Sequence, residues 1–176
     1  MKNIILIFTI LFSAIVYSQD STPKPGDNIL DPGADKFVGN WLWQEGTTSL
    51  TIILKKENVL IPFIKDVRAD FTLGYHKFIK DGIVVEDYTM FSNKNFSDKK
   101  NSITSGTDSD NRNILNGYII HSSKDKSIKF ELEYIDANHI KLRNLKNKEG
   151  VKIRVPGQPA YDWSISLPQN IILTRR

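Results

Sequence analysis

Residues 71–90 read Phe71-Thr72-Leu73-Gly74-Tyr75-His76-Lys77-Phe78-Ile79-Lys80-Asp81-Gly82-Ile83-Val84-Val85-Glu86-Asp87-Tyr88-Thr89-Met90. Asp81-Gly82 sits between two runs rich in aromatic and β-branched residues. A two-residue type I′ turn needs positive φ at both central positions, which Asp-Gly tolerates, so the stretch reads as a β-hairpin. Folding it at the turn sets Lys80 opposite Ile83, Phe78 opposite Val85, Lys77 opposite Glu86, His76 opposite Asp87 and Tyr75 opposite Tyr88. Phe71, Leu73, Tyr75, Ile79, Val84, Tyr88 and Met90 then share one face, broken by the Lys77–Glu86 pair. Opposite-charge and aromatic cross-strand pairs each contribute about 0.2–1 kcal/mol, so the turn and the pairs support the same register.

A second hairpin spans Ile128 to Leu145 and turns at Asp136-Ala137-Asn138, with Asn138 as the left-handed residue that a three-residue loop requires. It sets Ile135 against His139, Glu133 against Lys141 and Glu131 against Arg143. On the other face Phe130, Leu132 and Tyr134 meet Asn144, Leu142 and Ile140. One side is apolar and the other carries paired charges, as in a sheet with one buried and one wet face. The same texture of short apolar segments between turn residues extends over the chain from Phe37. Strands are expected near 37–45, 48–56, 67–80, 83–91, 114–122, 127–135, 139–146, 150–155 and 162–174. No 3.6-residue period is sustained and no repeat is evident. Between the hairpins, the polar stretch 92–113 is expected to hold one short strand near Ser102–Thr104 and otherwise loop.

Upstream of this body the chain changes character twice. Met1-Lys2-Asn3 and the apolar run from Ile4 to Val16 form the charged and hydrophobic regions of a signal peptide ending at Ser18. The run is too short to span a bilayer, which takes roughly 20 apolar residues, and no later stretch is longer. Residues 19–36 hold three of the seven prolines and no period, and read as a flexible linker. Removing 18 of 176 residues leaves 158, enough for one core, and residues 37–176 form a single β domain. The chain is expected to be exported, to the periplasm or beyond. There is no cysteine, so a disulfide framework is excluded and the fold must rest on burial. The net charge of +4 comes from interspersed charges, which is not the basic stripe of a nucleic-acid binder.

No motif announces catalysis. There is no GxSxG elbow, no phosphate loop and no HExxH, and no cofactor is implied. Asp108-x-Asp110-x-Arg112 starts like a calcium loop but has Arg112 at the third ligand and Ile119 at the closing glutamate, so it reads as a solvated turn. His76, His121 and His139 share no metal-ligand spacing, and Glu131 and Glu133 face cations that would keep both ionised.

Phe37-Val38-Gly39-Asn40-Trp41, taken with Leu173-Thr174-Arg175 at the other end, resembles the lipocalin and fatty-acid-binding-protein superfamily of calycin-type barrels. The whole chain resembles the uncharacterised secreted lipocalin-like families of unknown function found in the Bacteroidota, with their Met1-Lys2-Asn3 start and Tyr17-Ser18-Gln19 cleavage region. The resemblance implies an all-β, antiparallel up-and-down barrel or half-open barrel of about eight to nine strands. It implies that Gly39, Trp41 and Arg175 close the barrel, the Arg175 side chain packing over the Trp41 ring. Asp87-Tyr88 comes too early to be the Thr-Asp-Tyr motif of lipocalins. On this reading the protein binds a small apolar or amphipathic molecule without catalysis, with Phe71, Leu73, Tyr75, Tyr88 and Met90 in the lining. The rival reading is a protein–protein module with a solid core, and interior volume separates the two.

The Lys2 charge, the apolar run and Ser18 together predict a mature N-terminus at Gln19, give or take a few residues. Intact mass of the exported protein checks this; retention of Met1 would contradict it.

Overall fold

The computed structural model describes residues 22–150, 157 and 160–176; the expected signal peptide and most of the strand expected at 150–155 lie outside them. Among the described residues there are ten strands: β1 (Asn28–Ile29), β2 (Gly39–Glu45), β3 (Thr48–Leu60), β4 (Arg68–Lys80), β5 (Ile83–Asp87), β6 (Ile103–Thr107), β7 (Ile114–His121), β8 (Lys126–Asp136), β9 (His139–Asn147) and β10 (Ile171–Arg175). Eight of them close a ring in chain order, β2-β3-β4-β6-β7-β8-β9-β10 and back to β2, every pair antiparallel. This is a closed up-and-down barrel. The two extra strands share the edge of β4 that β6 uses. β1 runs parallel to its start at Arg68–Ala69, and β5 pairs with its last four residues.

Alternation fills the inside. Trp41 on β2 lies beside Ile52 on β3, and Ile52 lies beside His76 on β4. Leu50, Ile52, Leu54, Phe78, Ile103, Leu115, Ile119, Ile128, Leu132, Ile140, Leu142 and Leu173 belong to one contiguous buried cluster with Trp41 and Phe37. Inward positions thus carry large side chains, and an eight-stranded barrel is narrow enough for them to occupy its centre.

Both hairpins depart from simple pairing at a bulge. In β4–β5, Asp81 and Gly82 have φ of 51° and 80°, and Lys80 pairs with Ile83 as expected. Val85 is then the extra residue, because Phe78 faces Glu86 and Lys77 faces Asp87. Lys77 accordingly pairs with Asp87 at 2.9 Å. A one-residue slip moves a side chain to the other face, so Glu86 turns inward. In β8–β9, the pairs Glu131–Arg143, Leu132–Leu142, Glu133–Lys141 and Tyr134–Ile140 hold. The turn differs: Asp136, not Ile135, faces His139, and the Asp136 carboxylate accepts the Asn138 N–H at 2.8 Å. Asn138 does not take positive φ; Asn144 does, at 54°. That second bulge turns Asn144 out of the apolar face and lets Leu145 enter the core.

The segment read as a linker is docked from Gly26 onward. Gly26 donates to the Asp66 carbonyl at 3.1 Å, and Asp31 accepts the Thr107 backbone and hydroxyl donors at 2.9 and 2.6 Å. A 3-10 turn over Pro32–Phe37 buries Ala34 and Phe37. Its contacts are single anchors, which leave no hydrophobic period to read. At the other terminus, the strand expected from 162 begins at Ile171; residues 160–170 are an irregular strap across the opposite end of the barrel, tied by Lys126 Nζ to the carbonyls of Asp162 and Ser164. The short strand expected within 92–113 is β6.

Gly39, Trp41 and Arg175 meet where the ring closes. Arg175 pairs with Trp41 across β10–β2, and its guanidinium carbon lies 4.2 Å from the Trp41 ring centroid. Its three nitrogens donate to the carbonyls of Ala137, Val38 and Lys36 at 2.7, 2.7 and 2.8 Å, and Trp41 Nε1 donates to Phe37 O at 2.7 Å. Gly39 has φ of 140°, and a Cβ there would fall 2.4 Å from Arg175 Nη1. Arg175→Ala should therefore lower unfolding free energy by about 2–4 kcal/mol through lost charge-assisted hydrogen bonds and cation–π contact. Arg176→Ala, whose backbone alone reaches Asn40, should change it by less than about 0.5 kcal/mol. Urea unfolding followed by Trp fluorescence distinguishes them.

Candidate functional site

The bulge at Val85 builds the most unusual site in the molecule. Glu86 from β5, His76 from β4 and His121 at the end of β7 have no exposed side-chain surface. His76 Nε2 lies 2.6 Å from Glu86 Oε2, and His121 Nδ1 lies 2.5 Å from Oε1. Ser123 adds its backbone N–H at 3.0 Å and its hydroxyl at 2.6 Å to Oε1. The carboxylate thus receives four donors.

The outer atoms of the network fix the protons. His121 Nε2 accepts the Ser166 N–H at 3.1 Å, so this imidazole carries its proton on Nδ1 and donates it to Glu86. His76 Nε2–H is the other donor, while its Nδ1 lies 2.8 Å from the Ser102 hydroxyl. Ser102 Oγ also accepts the His76 backbone N–H at 3.0 Å, and Tyr88 stacks on the His76 ring at 5.3 Å. Burial alone pushes the Glu86 carboxyl up, but the hydrogen bonds from His121, His76 and Ser123 outweigh it and hold the group well below the usual carboxylate range. Every ring nitrogen is engaged within the protein, and among the described residues no cluster has the arrangement of a metal site. The network joins β4, β5 and β7 to the strap, at the barrel end opposite Arg175, and its chemistry is that of a buried polar clamp.

Of the five residues read as a ligand lining, Phe71, Leu73 and Tyr75 do not face the interior. Phe71, Leu73 and Tyr75 alternate with Thr72, Gly74 and His76 and point out of the barrel. Leu73 and Tyr75 are nevertheless buried. The segment after β5 covers this face: Tyr75 OH donates to Lys94 O at 2.7 Å, and Phe71 stacks on Phe96 at 5.9 Å. Met90 is 69% exposed, and Tyr88 joins His76. Of the three histidines, His139 stays at its turn on Asp136. Asp108 caps its own turn through the N–H groups of Asp110 and Asn111. Sequence reasoning missed Glu86 because nothing in Ile83-Val84-Val85 marks Val85 as a bulge. His121 did carry a signal, at the inward position two residues beyond Ile119.

Fold and site together define a closed eight-stranded up-and-down β-barrel with a polar clamp at one end and an arginine–tryptophan closure at the other. The chain matches, over residues 1–176, the family of unknown function DUF6705, and it belongs to that family. No curated protein and no solved structure matches it. No helix among the described residues is long and apolar enough to cross a membrane.

The Glu86 site predicts a pH signature. Glu86→Gln should lose about 1–3 kcal/mol at neutral pH, since an amide places its own N–H against donors. Because the folded-state pKa is depressed, the wild-type advantage is full above about pH 4.3 and shrinks as pH falls below it. Urea midpoints of both proteins from neutral to acid pH check this; an advantage that grows on acidification would contradict it.

Proposed function

We propose that this chain is an exported, non-catalytic binding module of lipocalin-like form, and that it engages a protein partner of the envelope or extracellular space on the outside of a solid barrel. The observation that carries the reading is the occupied interior. Phe37, Trp41, Leu50, Ile52, Leu54 and Phe78 are at most 2% exposed and fill the space that an internal ligand would need. The outward placement of Phe71, Leu73 and Tyr75 supports the same reading against an internal apolar ligand. The Gly39–Trp41–Arg175 closure supports the lipocalin-like form, and export rests on the Lys2 charge and the apolar run before Ser18.

Native mass spectrometry of the protein purified, without detergent, from its own envelope or medium tests this. The expected species carries a protein partner and no small molecule. A stoichiometric apolar adduct on the isolated chain overturns the reading in favour of an internal ligand.

A further inference from the structure

The outer face of β7, β8 and β9 carries a groove of about 370 Å³, within the range of small-molecule sites. Its walls are Asn116 and Tyr118 from β7, Lys129 and Glu131 from β8, and Asn144 and Lys146 from β9. The Asn144 bulge shapes one side, and bulges of this kind re-aim side chains beside binding sites.

We propose that this groove binds a neutral saccharide chain. Its polar groups are held in place yet retain unused hydrogen-bonding capacity. Glu131 Oε2 accepts Arg143 Nε at 3.0 Å and Asn144 Nδ2 at 2.7 Å, while Oε1 has no partner among the described residues. Asn116 Nδ2 is fixed on Asp108 at 2.7 Å, and among the described residues neither the Asn116 nor the Asn144 side-chain amide oxygen has a partner. The Lys146 ammonium has no partner among the described residues. Alternating amide oxygens, a carboxylate oxygen and an ammonium match the paired donors and acceptors of vicinal hydroxyls. Tyr118, 43% exposed, supplies aromatic surface on which a sugar ring packs its C–H face, the Lys148 ammonium covering one face of the ring at 5.3 Å from its centroid and the sugar taking the other. An apolar ligand would strand these polar groups. The charged residues that line the groove are Lys129 and Lys146 against Glu131 and Glu149, so the charges cancel and the site favours a neutral ligand over an anion.

This site goes beyond the protein-docking reading and does not depend on it. Titration of ¹⁵N-labelled protein with cellohexaose, maltohexaose, chitohexaose and mannohexaose tests it by amide shifts. At least one should give saturable shifts at Asn116, Tyr118, Asn144 and Lys146. Asn144→Gly should weaken binding about tenfold while keeping the unfolding midpoint, because glycine accepts the positive φ and only the amide is lost. Tyr118→Ala should weaken it comparably. No saturable shift with any of the four, shifts confined to another surface, or wild-type affinity in Asn144→Gly would each overturn the proposal, whatever the outcome of the partner experiment.

Discussion

The barrel depends on one contact between its two ends. A sheet that does not close leaves two rows of unpaired backbone groups, and an eight-stranded meander brings its first and last strands together only if something fastens them. Here the fastening is a single guanidinium. Arg175 reaches the carbonyls of Lys36, Val38 and Ala137 while lying on the Trp41 ring, so it joins the entry turn, the first strand and the β8–β9 turn at one point. The β10–β2 pairing itself is short, two residue pairs, and the Arg175 side chain adds its bonds to Val38 and Lys36 across the seam. Gly39 follows from that geometry, since the guanidinium occupies the place of its Cβ.

Much of this was legible beforehand because the signals were local. Asp81-Gly82 specifies a turn through backbone conformation alone, and the alternation in 128–134 and 139–143 specifies which face is wet. These survive folding because each strand is read against its immediate neighbour. Bulges are not local in the same sense. Val85 and Asn144 sit in stretches whose composition suits regular pairing, and the extra residue is decided by what lies behind the strand. In one case that is the space for Leu145; in the other it is the pair of imidazoles waiting for Glu86. The polar segment from Gly26 to Asp35 was opaque for a related reason. Its order comes from Asp31 reaching Thr107 across the chain, and a sequence pattern holds no record of such a partner.

The clamp around Glu86 shows how a charge can sit inside an otherwise apolar barrel. An unpaired carboxylate there would cost several kcal/mol, and the four donors are what offset it. They come from three places, β4, the end of β7 and the turn after it, and the strap joins through Ser166, whose N–H donates to His121. The clamp therefore organises the end of the barrel where the hydrophobic cluster runs out, in the same way that the guanidinium organises the other. Specificity, more than net stability, is what such a network contributes, because each member has a single satisfactory arrangement.

The closure has a consequence for the order of events during folding. Arg175 and the carbonyl it bonds at Val38 are 137 residues apart, so the seam forms only after the whole chain is available. Loop-closure entropy of that size is offset only once the intervening hairpins have shortened the effective loop. The hairpins, whose partners are adjacent in sequence, can form first, and the seam then closes last and slowly, as in other folds of high contact order. A chain emerging from the ribosome without its last strand therefore remains an open sheet, with β2 and β9 each left one unpaired edge until residues 171–175 arrive.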